Sequence, residues 1–322
     1  MSVSFLDDTA RRRNKRRNLV HSVLLIGGMI ALLTGIIWLL FDFETALWAL
    51  AGWAIALLWA PRISPQVIMR MYRAHKMTPA EFPSGFEALN ELVKRAELPR
   101  APALFYIPSA TLNAFTIGRK DDAIIAITDG LIRALNMREL AGVLAHELSH
   151  IRNNDLWVMS LADSISRLTS LFALIGIFLL FLGLPMLLFA GHVTTLFVAL
   201  VLIFAPTFAS LLQLALSRAR EFDADLDGAG LTGDPVGLAS ALKKLEQAQG
   251  SVWEQVFMPG RKMPDPSLLR THPATAERIE RLLSLYPEDR RAPFAAAVEP
   301  GLATEYKPVN QPPRWRHSGL WY

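Results

Sequence analysis

The sequence predicts a mainly helical α+β protein with four membrane-spanning helices and a polar part that contains a small antiparallel sheet. Three observations support this fold class. Hydrophobic residues make up 52% of the 322 residues and charged residues only 19%. The apolar residues are concentrated in long uncharged runs, and the polar segments between them mix helical with strand-like spacing. No cysteine is present, which excludes disulfides, cysteine–metal sites and a cysteine nucleophile.

Two apolar runs near the N-terminus predict a first hairpin of membrane helices over residues 19–61. Residues 19–41 carry no charged side chain and have the length of a spanning helix. This run is too long for the core of a signal peptide, and no small-residue cleavage site follows it. Residues 45–61 are near the short end of the spanning range, with Trp48 and Trp59 placed for the two membrane interfaces.

A third uncharged region, residues 168–217, is too long for one span and predicts a second hairpin with its tip at Gly191 and His192. The alternative is a buried helix pair in a large soluble protein, where so long an uncharged stretch is rare. Lys and Arg flank both hairpins and are absent from both tips. The positive-inside rule therefore places the N-terminus, the middle segment and the C-terminal segment together in the cytoplasm.

The polar segments predict helices around a few short strands. The expected helices cover residues 83–97, a stretch from 137 onward, 218–227, 236–249 and 275–285; the expected strands cover 103–107, 112–117 and 123–127. The Pro-rich residues 287–322 predict an extended or disordered tail. The net charge is only +4, and the basic cluster at the N-terminus accounts for the excess. No nucleic-acid-binding surface is therefore expected.

The clearest chemical signal is the run His146-Glu147-Leu148-Ser149-His150 within a predicted helix. Residues i and i+4 share a helix face, so the two imidazoles can bind one cation. Catalytic zinc sites usually have three protein ligands and a water. Glu147 lies about 100° around the helix from His146, where a general base for a water beside the metal belongs. The alternative is two ordinary histidines on a helix.

A carboxylate is a better candidate for the third ligand than four of the remaining histidines: His21 lies in a span, His192 at a hairpin tip, and His75 and His317 in basic, loop-like contexts. Glu221 follows the fourth predicted span, and Asp225 lies one turn further on the same face. Asp225 can accept a hydrogen bond from the second nitrogen of a ligand imidazole. The alternative is that both carboxylates pair with Arg218 and Arg220.

Taken together, the chain resembles the HtpX-type integral-membrane zinc metallopeptidases, which are gluzincins. The motifs that carry this resemblance are His146-Glu147-x-x-His150 and Glu221-x-x-x-Asp225, separated by two spans. The resemblance extends from the first span to about residue 285. It implies one Zn²⁺ per chain in a zincin-like domain. It also implies an ATP-independent endopeptidase for misfolded or membrane proteins, with its active site on the cytoplasmic face of the bacterial inner membrane.

The apolar runs and the motifs between them together predict a domain organisation. It comprises a basic N-terminus (1–18), a first transmembrane hairpin (19–61), a first catalytic part (62–167), a second transmembrane hairpin (168–217), a second catalytic part (218–286) and the Pro-rich tail (287–322). Within the first part, Asn113 and Ala114 resemble the family's edge strand, which binds the substrate backbone by β-addition; the alternative is an ordinary hairpin strand. Asp155 matches a residue that orients the helix end and is not a ligand.

Two further residues match the family's His-Pro signature in the second catalytic part. By resemblance, His272 donates a hydrogen bond to the oxyanion and Arg278 orients a substrate carbonyl. The alternative is a helix N-cap at Thr271 with a solvated Arg278.

Two other function classes compete with a peptidase. A zinc-binding but inactive membrane scaffold does not need a base, so Glu147 argues against it. A transporter needs polar or charged residues along its pathway, but the predicted spans contain only His21 and uncharged polar groups. The expected partners are polypeptide substrates and the lipid bilayer.

Overall fold

The computed structural model describes residues 8–59, 64–190, 193–255 and 275–284, and its contacts divide the chain into two compact units. The polar unit comprises the described residues within 1–18, 63–156 and 220–322, and the apolar unit comprises those within 19–62 and 157–219. The predicted hairpin tip at residues 191–192 and the Pro-rich tail lie outside the described residues.

Four long apolar helices supply the apolar unit: α1 (Asp8–Leu40), α2 (Phe43–Trp59), α7 (Asp155–Ala190) and α8 (Val193–Thr232). The segments Arg16–Leu40, Asp155–Gly183 and Thr194–Thr232 are long and apolar enough to cross a membrane, whereas Phe43–Ile55 is apolar but shorter. Three of the four predicted spans thus have helices of spanning length, and the span over residues 45–61 stays a prediction.

The surface of these helices is itself apolar. Leu174, Phe178 and Phe181 are 62%, 63% and 77% exposed, and continuous exposed apolar surface of this kind is typical of contact with a membrane or a partner. Inside the unit, Ile36 packs with Leu202 and Ala205. Two of its polar side chains pair with each other, through the 2.6 Å hydrogen bond from Ser166 Oγ to Gln213 Oε1.

The polar unit combines short helices with one sheet. Its helices are α3 (Pro65–Met71), α4 (Pro83–Arg95), α5 (Asp129–Ala134), α6 (Met137–Asn153), α9 (Pro235–Gln255) and α10 (Thr275–Leu283); its strands are β1 (His75–Lys76), β2 (Ala103–Ile107), β3 (Ala114–Ile117) and β4 (Ile124–Thr128). The start of α1 and the last turns of α8 also belong to this unit. The three predicted strands are present, each within two residues of its expected bounds.

The sheet is mixed, so the prediction of an antiparallel sheet is wrong. The strand order is β1-β2-β4-β3, with β2 and β4 parallel and the other two pairs antiparallel. The chain runs from β2 to the outer position of β3 and then returns to fill the place between them as β4. Every residue of β4 is buried, as expected for a central strand. β1 was not predicted, because two residues are too few to show a strand period.

Helix α6 is fixed at its start and along its apolar stripe. A capping box joins the side chains of Asn136 and Glu139 to each other's backbone N–H groups, so two otherwise unpaired donors are satisfied. Leu140, Leu144 and Leu148 are fully buried in the core that α6 shares with the sheet. Because this stripe faces the core, the polar side chains of α6 lie on its other faces.

The backbone of α8 lies close against that remaining part of α6. A Cβ atom at Gly228 would lie 3.1 Å from the backbone nitrogen of His146, so the absence of a side chain permits this close approach. At its C-terminus, α6 ends at Asn154 in the left-handed conformation, and α7 begins at the next residue, Asp155.

Candidate active site

Helices α6 and α8 bring together the three predicted metal ligands, His146, His150 and Glu221. The Nε2 atoms of the two histidines are 3.2 Å apart. Glu221 Oε2 lies 3.5 Å from His146 Nε2, and Glu221 Oε1 lies 3.8 Å from His150 Nε2. Ligand atoms of a tetrahedral zinc site, bound at about 2.0–2.1 Å, are about 3.3–3.4 Å apart. The donor types and their spacing therefore fit a zinc ion.

The second nitrogen of each imidazole faces an aspartate. His146 Nδ1 lies 3.0 Å from Asp225 Oδ1, and His150 Nδ1 lies 2.8 Å from Asp155 Oδ2. Such contacts fix the ring orientation and leave Nε2 directed at a metal. The contact of Asp225 corresponds to the one expected from the sequence. Asp155 was predicted to support the ligands by orienting the helix end, and the sequence did not specify that His150 is the ligand it contacts.

An arginine pairs in turn with each of these aspartates. Arg278 donates two 2.7 Å hydrogen bonds to Asp225, and its Nη1 lies 3.1 Å from Glu221 Oε2. Arg220 donates from Nε to Asp155 Oδ1 at 2.7 Å. Both guanidinium groups are buried, so the protein itself compensates part of the negative charge of the site.

The partners of Arg220 differ from the alternative considered from the sequence, in which Glu221 and Asp225 pair with Arg218 and Arg220. The second carboxylate partner of Arg220 is Asp223, at 3.3 Å, and Arg218 is exposed. The described carboxylate partners of Arg220 are therefore Asp155 and Asp223. Glu221 and Asp225 instead share Arg278, a partner that sequence proximity could not have indicated.

The electrostatics of the site favour positive charge at the histidines. Burial by itself lowers the pKa of His146, but hydrogen bonds and charge attraction from Asp225 and Glu221 outweigh burial and raise the pKa to about 10. Burial also lowers the pKa of His150, and Asp155 reverses this and raises it above the ordinary value. Surroundings that stabilise an imidazolium also stabilise a bound cation.

Glu147 is buried beside the two histidines, and a hydroxyl from the sheet contacts its carboxylate. Thr116 Oγ1 on β3 donates to Glu147 Oε2 at 2.7 Å. Sequence reasoning missed Thr116. The available signal was a single polar residue in an apolar strand, on the opposite face from Phe115 and Ile117.

The predicted substrate strand lies at an edge of the sheet. β3 begins at Ala114, and β4 is its only partner among the described strands. The carbonyl of Asn113, immediately before β3, accepts a 3.0 Å hydrogen bond from the Thr128 backbone N–H. Binding of substrate by Asn113 and Ala114 stays a prediction.

The two residues of the predicted His-Pro signature differ in what the structure describes. His272 lies outside the described residues, as does Thr271. Arg278 lies on α10 and is 5% exposed, so the alternative of a solvated Arg278 is wrong. Its described contacts are with Asp225 and Glu221, and its contact with a substrate carbonyl stays a prediction.

Comparison with known proteins identifies the class that this site defines. Residues 80–286 match the model of Peptidase family M48. The chain is 36% identical over 289 residues to a protease HtpX homolog from Acaryochloris marina, covering 85% of this chain and 94% of the relative. It is 34% identical over 244 residues to a protease HtpX homolog from Methylibium petroleiphilum, covering 70% of this chain and 82% of the relative.

A weaker likeness exists to a crystal structure of S. mikatae Ste24p. It covers 84% of this chain and 66% of that chain, at 19% identity and a TM-score of 0.43.

The match to the family model includes every described residue of the site. The protein is a metalloprotease, and its long apolar helices indicate a multi-pass membrane protein. The chain belongs to peptidase family M48, as an HtpX-type metallopeptidase.

Proposed function

We propose that this protein is a membrane-embedded endopeptidase that binds one Zn²⁺ through His146, His150 and Glu221. The observation that carries the proposal is the convergence of two imidazole nitrogens and a carboxylate at 3.2–3.8 Å from one another. Zinc is favoured because it prefers nitrogen and carboxylate ligands in a tetrahedral arrangement.

The residues of the chain then take the following roles. When bound, a zinc ion polarises the substrate carbonyl and makes a water molecule more acidic. Glu147 accepts the proton of the attacking water, and Asp225 and Asp155 orient the two imidazoles. We assign His272 to hydrogen bonding with the oxyanion and Arg278 to a substrate carbonyl, both on the basis of family resemblance. An extended peptide pairs with the edge strand at Asn113 and Ala114.

The Glu147→Gln variant separates metal binding from catalysis and tests the proposal directly. Purified Glu147→Gln protein should retain zinc at about one ion per chain and lose cleavage of casein, because an amide cannot accept the proton. Glu91→Gln, which changes an exposed glutamate on α4, is the matched control and should cleave at the wild-type rate. A chelator should abolish wild-type cleavage, and added zinc should restore it. Near wild-type turnover by Glu147→Gln would assign the base to another residue.

The alternative function is a zinc-binding membrane scaffold without catalysis. It predicts zinc in the purified protein and no cleavage of casein by the wild type. The same preparation therefore distinguishes the two functions. The burial of Glu147 and its hydrogen bond from Thr116 favour the enzyme.

We further propose that the active site faces the cytoplasm at the bacterial inner membrane, where the enzyme degrades misfolded or membrane proteins in quality control. Support comes from the basic residues that flank the apolar hairpins. In this arrangement the catalytic domain comprises residues 62–167 and 218–286. The first pair of spans lies between the N-terminus and residues 62–167, and the second pair lies between the two parts of the domain.

Reporter fusions test this topology. A reporter near Gly191 should score outside, and reporters at Asp122 and Gly250 should both score inside. If Asp122 and Gly250 report opposite sides, an odd number of spans separates α6 from Glu221. The two parts of the proposed catalytic domain would then lie on opposite sides of the membrane and could not form one site.

A further inference from the structure

Thr116 has a position in β3 that directs its side chain to helix α6. In a strand, successive side chains point to opposite faces of the sheet. Phe115 and Ile117 pack on one face with Met69 and Ile124. Ala114 packs on the other face with the core that includes α6, and Thr116 shares the face of Ala114. The hydroxyl therefore lies over the helix that carries the proposed general base.

The contact between Thr116 and Glu147 has the geometry of a strong hydrogen bond. The 2.7 Å distance from Thr116 Oγ1 to Glu147 Oε2 is short, as is typical when the acceptor is charged. The Glu147 carbonyl, at 3.5 Å from the same hydroxyl, is a more distant acceptor. Thr116 is only 3% exposed, and its β-branched side chain has few rotamers in a strand. The hydroxyl thus restrains one oxygen of a buried carboxylate.

The backbone N–H and C=O groups of Thr116 lie in the plane of the sheet and are directed away from β4, to the open edge of β3. In an antiparallel pair, residues alternate between those that hydrogen-bond to the partner strand and those that face outward. The Asn113 carbonyl bonds to Thr128, and Thr116 is opposite Ile125 in the same register. Asn113, Phe115 and Ile117 therefore bond to β4. The N–H and C=O groups of Ala114 and Thr116 face the edge that no described strand covers.

We propose that Thr116 is a positioning residue that links substrate seating to the orientation of the base. An extended peptide that pairs with β3 hydrogen-bonds to the outward backbone groups of Thr116. The hydroxyl of the same residue holds Glu147 Oε2. One residue thereby sets the distance between the peptide bond to be cleaved and the carboxylate that accepts the proton. This inference rests on the proposed function, since it assumes that Glu147 is the base.

The test compares Thr116→Val with Thr116→Ser in full-length, zinc-loaded protein. Valine keeps the shape and strand preference of threonine but cannot donate, whereas serine keeps the donor. For a fluorogenic casein-derived peptide, kcat of Thr116→Val should fall roughly 10-fold while KM changes by less than about twofold, because ground-state backbone pairing is intact. Thr116→Ser should recover kcat to within about threefold of wild type.

Two further measurements separate positioning from damage to the fold. Thr232→Val is the matched control, since its hydroxyl bonds to the Gly228 carbonyl at 3.0 Å and does not contact Glu147; its kcat should stay at the wild-type value. In a Glu147→Gln background, Thr116→Val should leave the Kd for the uncleaved labelled peptide unchanged, which is a readout independent of turnover. If Thr116→Val yields no zinc-loaded protein, Thr116→Ala replaces it with the same expectation.

The outcomes distinguish failure of this inference from failure of the proposed function. Unchanged kcat in Thr116→Val overturns the inference, as does equal loss of kcat in the valine and serine variants. A change confined to KM and Kd also overturns it, because Thr116 would then act only on substrate binding. In each of these cases wild-type cleavage still depends on Glu147. If wild-type protein shows no zinc-dependent cleavage, the proposed function itself fails.

Discussion

The two imidazoles of the site are supported by similar aspartate–arginine pairs that differ in what else they touch. His150 is supported by Asp155, which lies five residues away and pairs with Arg220. His146 is supported by Asp225, whose arginine, Arg278, comes from a distant part of the chain.

The arginine on the His146 side also contacts the third proposed ligand. Arg278 approaches Glu221 at 3.1 Å, whereas the second carboxylate partner of Arg220 is Asp223, which is not a proposed ligand. The His146 side is also drier, with a side-chain exposure of 9% against 15% for His150. We infer that the pair Asp225–Arg278 supports two proposed ligands, His146 and Glu221. The pair on the His150 side supports His150 alone. Substitutions on the His146 side should therefore have the larger effects.

Removal of Arg278 should have the largest effect. Arg278→Gln leaves Asp225 and Glu221 buried without the guanidinium, and breaking a buried ion pair costs about 3–5 kcal/mol. The melting temperature of detergent-solubilised, chelated protein should fall sharply. Glu277→Gln on the same helix weakens a half-exposed pair with Arg281 and should cost less than about 1 kcal/mol. Equal shifts for both variants would refute the importance of the buried charge.

Loss of the Asp225 carboxylate should come next and should act on the metal. Asp225→Asn removes the negative charge that lies 3.0 Å from His146 Nδ1 and loosens Arg278, so zinc affinity should fall near the upper end of the roughly 10–100-fold range for such partners. Competition with a fluorescent zinc chelator measures this. Asp234→Asn, which alters a surface pair with Arg138, serves as the control and should keep wild-type affinity.

Asp155→Asn should weaken zinc binding less, by about 10-fold, because the described carboxylate partners of its arginine, Arg220, are Asp155 and Asp223 and include no proposed ligand. The same chelator competition gives the ratio of the two affinities directly. If Asp155→Asn weakens zinc binding more than Asp225→Asn does, the inferred difference between the two sides is reversed.

The smallest effect on the metal should come from Asn18, near the start of the first apolar run. Its side chain donates to Asp223 Oδ1 at 2.8 Å, and Asp223 in turn contacts Arg220. Asn18→Ala removes a buried donor to a carboxylate, which should lower stability by about 1–3 kcal/mol. Zinc affinity should change by less than about threefold. A larger loss of affinity would show that the polar contacts transmit orientation as far as His150.

The sequence predicted the parts of the site that depend on local spacing. His146 and His150 were recognisable because two histidines at positions i and i+4 of a helix can bind one metal ion. Glu147 was recognisable because it directly follows the first of them. Glu221 and Asp225 followed from the same helical spacing after the last apolar run. The family resemblance then extended the prediction to a metallopeptidase, which the comparisons confirm.

The parts that the sequence did not predict depend on contacts between distant segments. Short apolar runs indicated three strands, but not that β4 would lie between β2 and β3. Arg278 is 53 residues from its partner Asp225, and Thr116 is 31 residues from Glu147. Tertiary packing alone brings these groups together, so no local pattern encodes which carboxylate each one meets.

Zinc stoichiometry at limiting metal tests the central claim, that His146, His150 and Glu221 hold one ion, most directly. Wild-type and Glu221→Ala proteins would be stripped, supplied with zinc in competition with a chelator, and analysed by elemental mass spectrometry. The wild type should retain about one zinc per chain, and Glu221→Ala should retain a small fraction of that amount. Equal zinc in the two proteins would contradict the assignment of Glu221 and make His272 the next candidate for the third ligand.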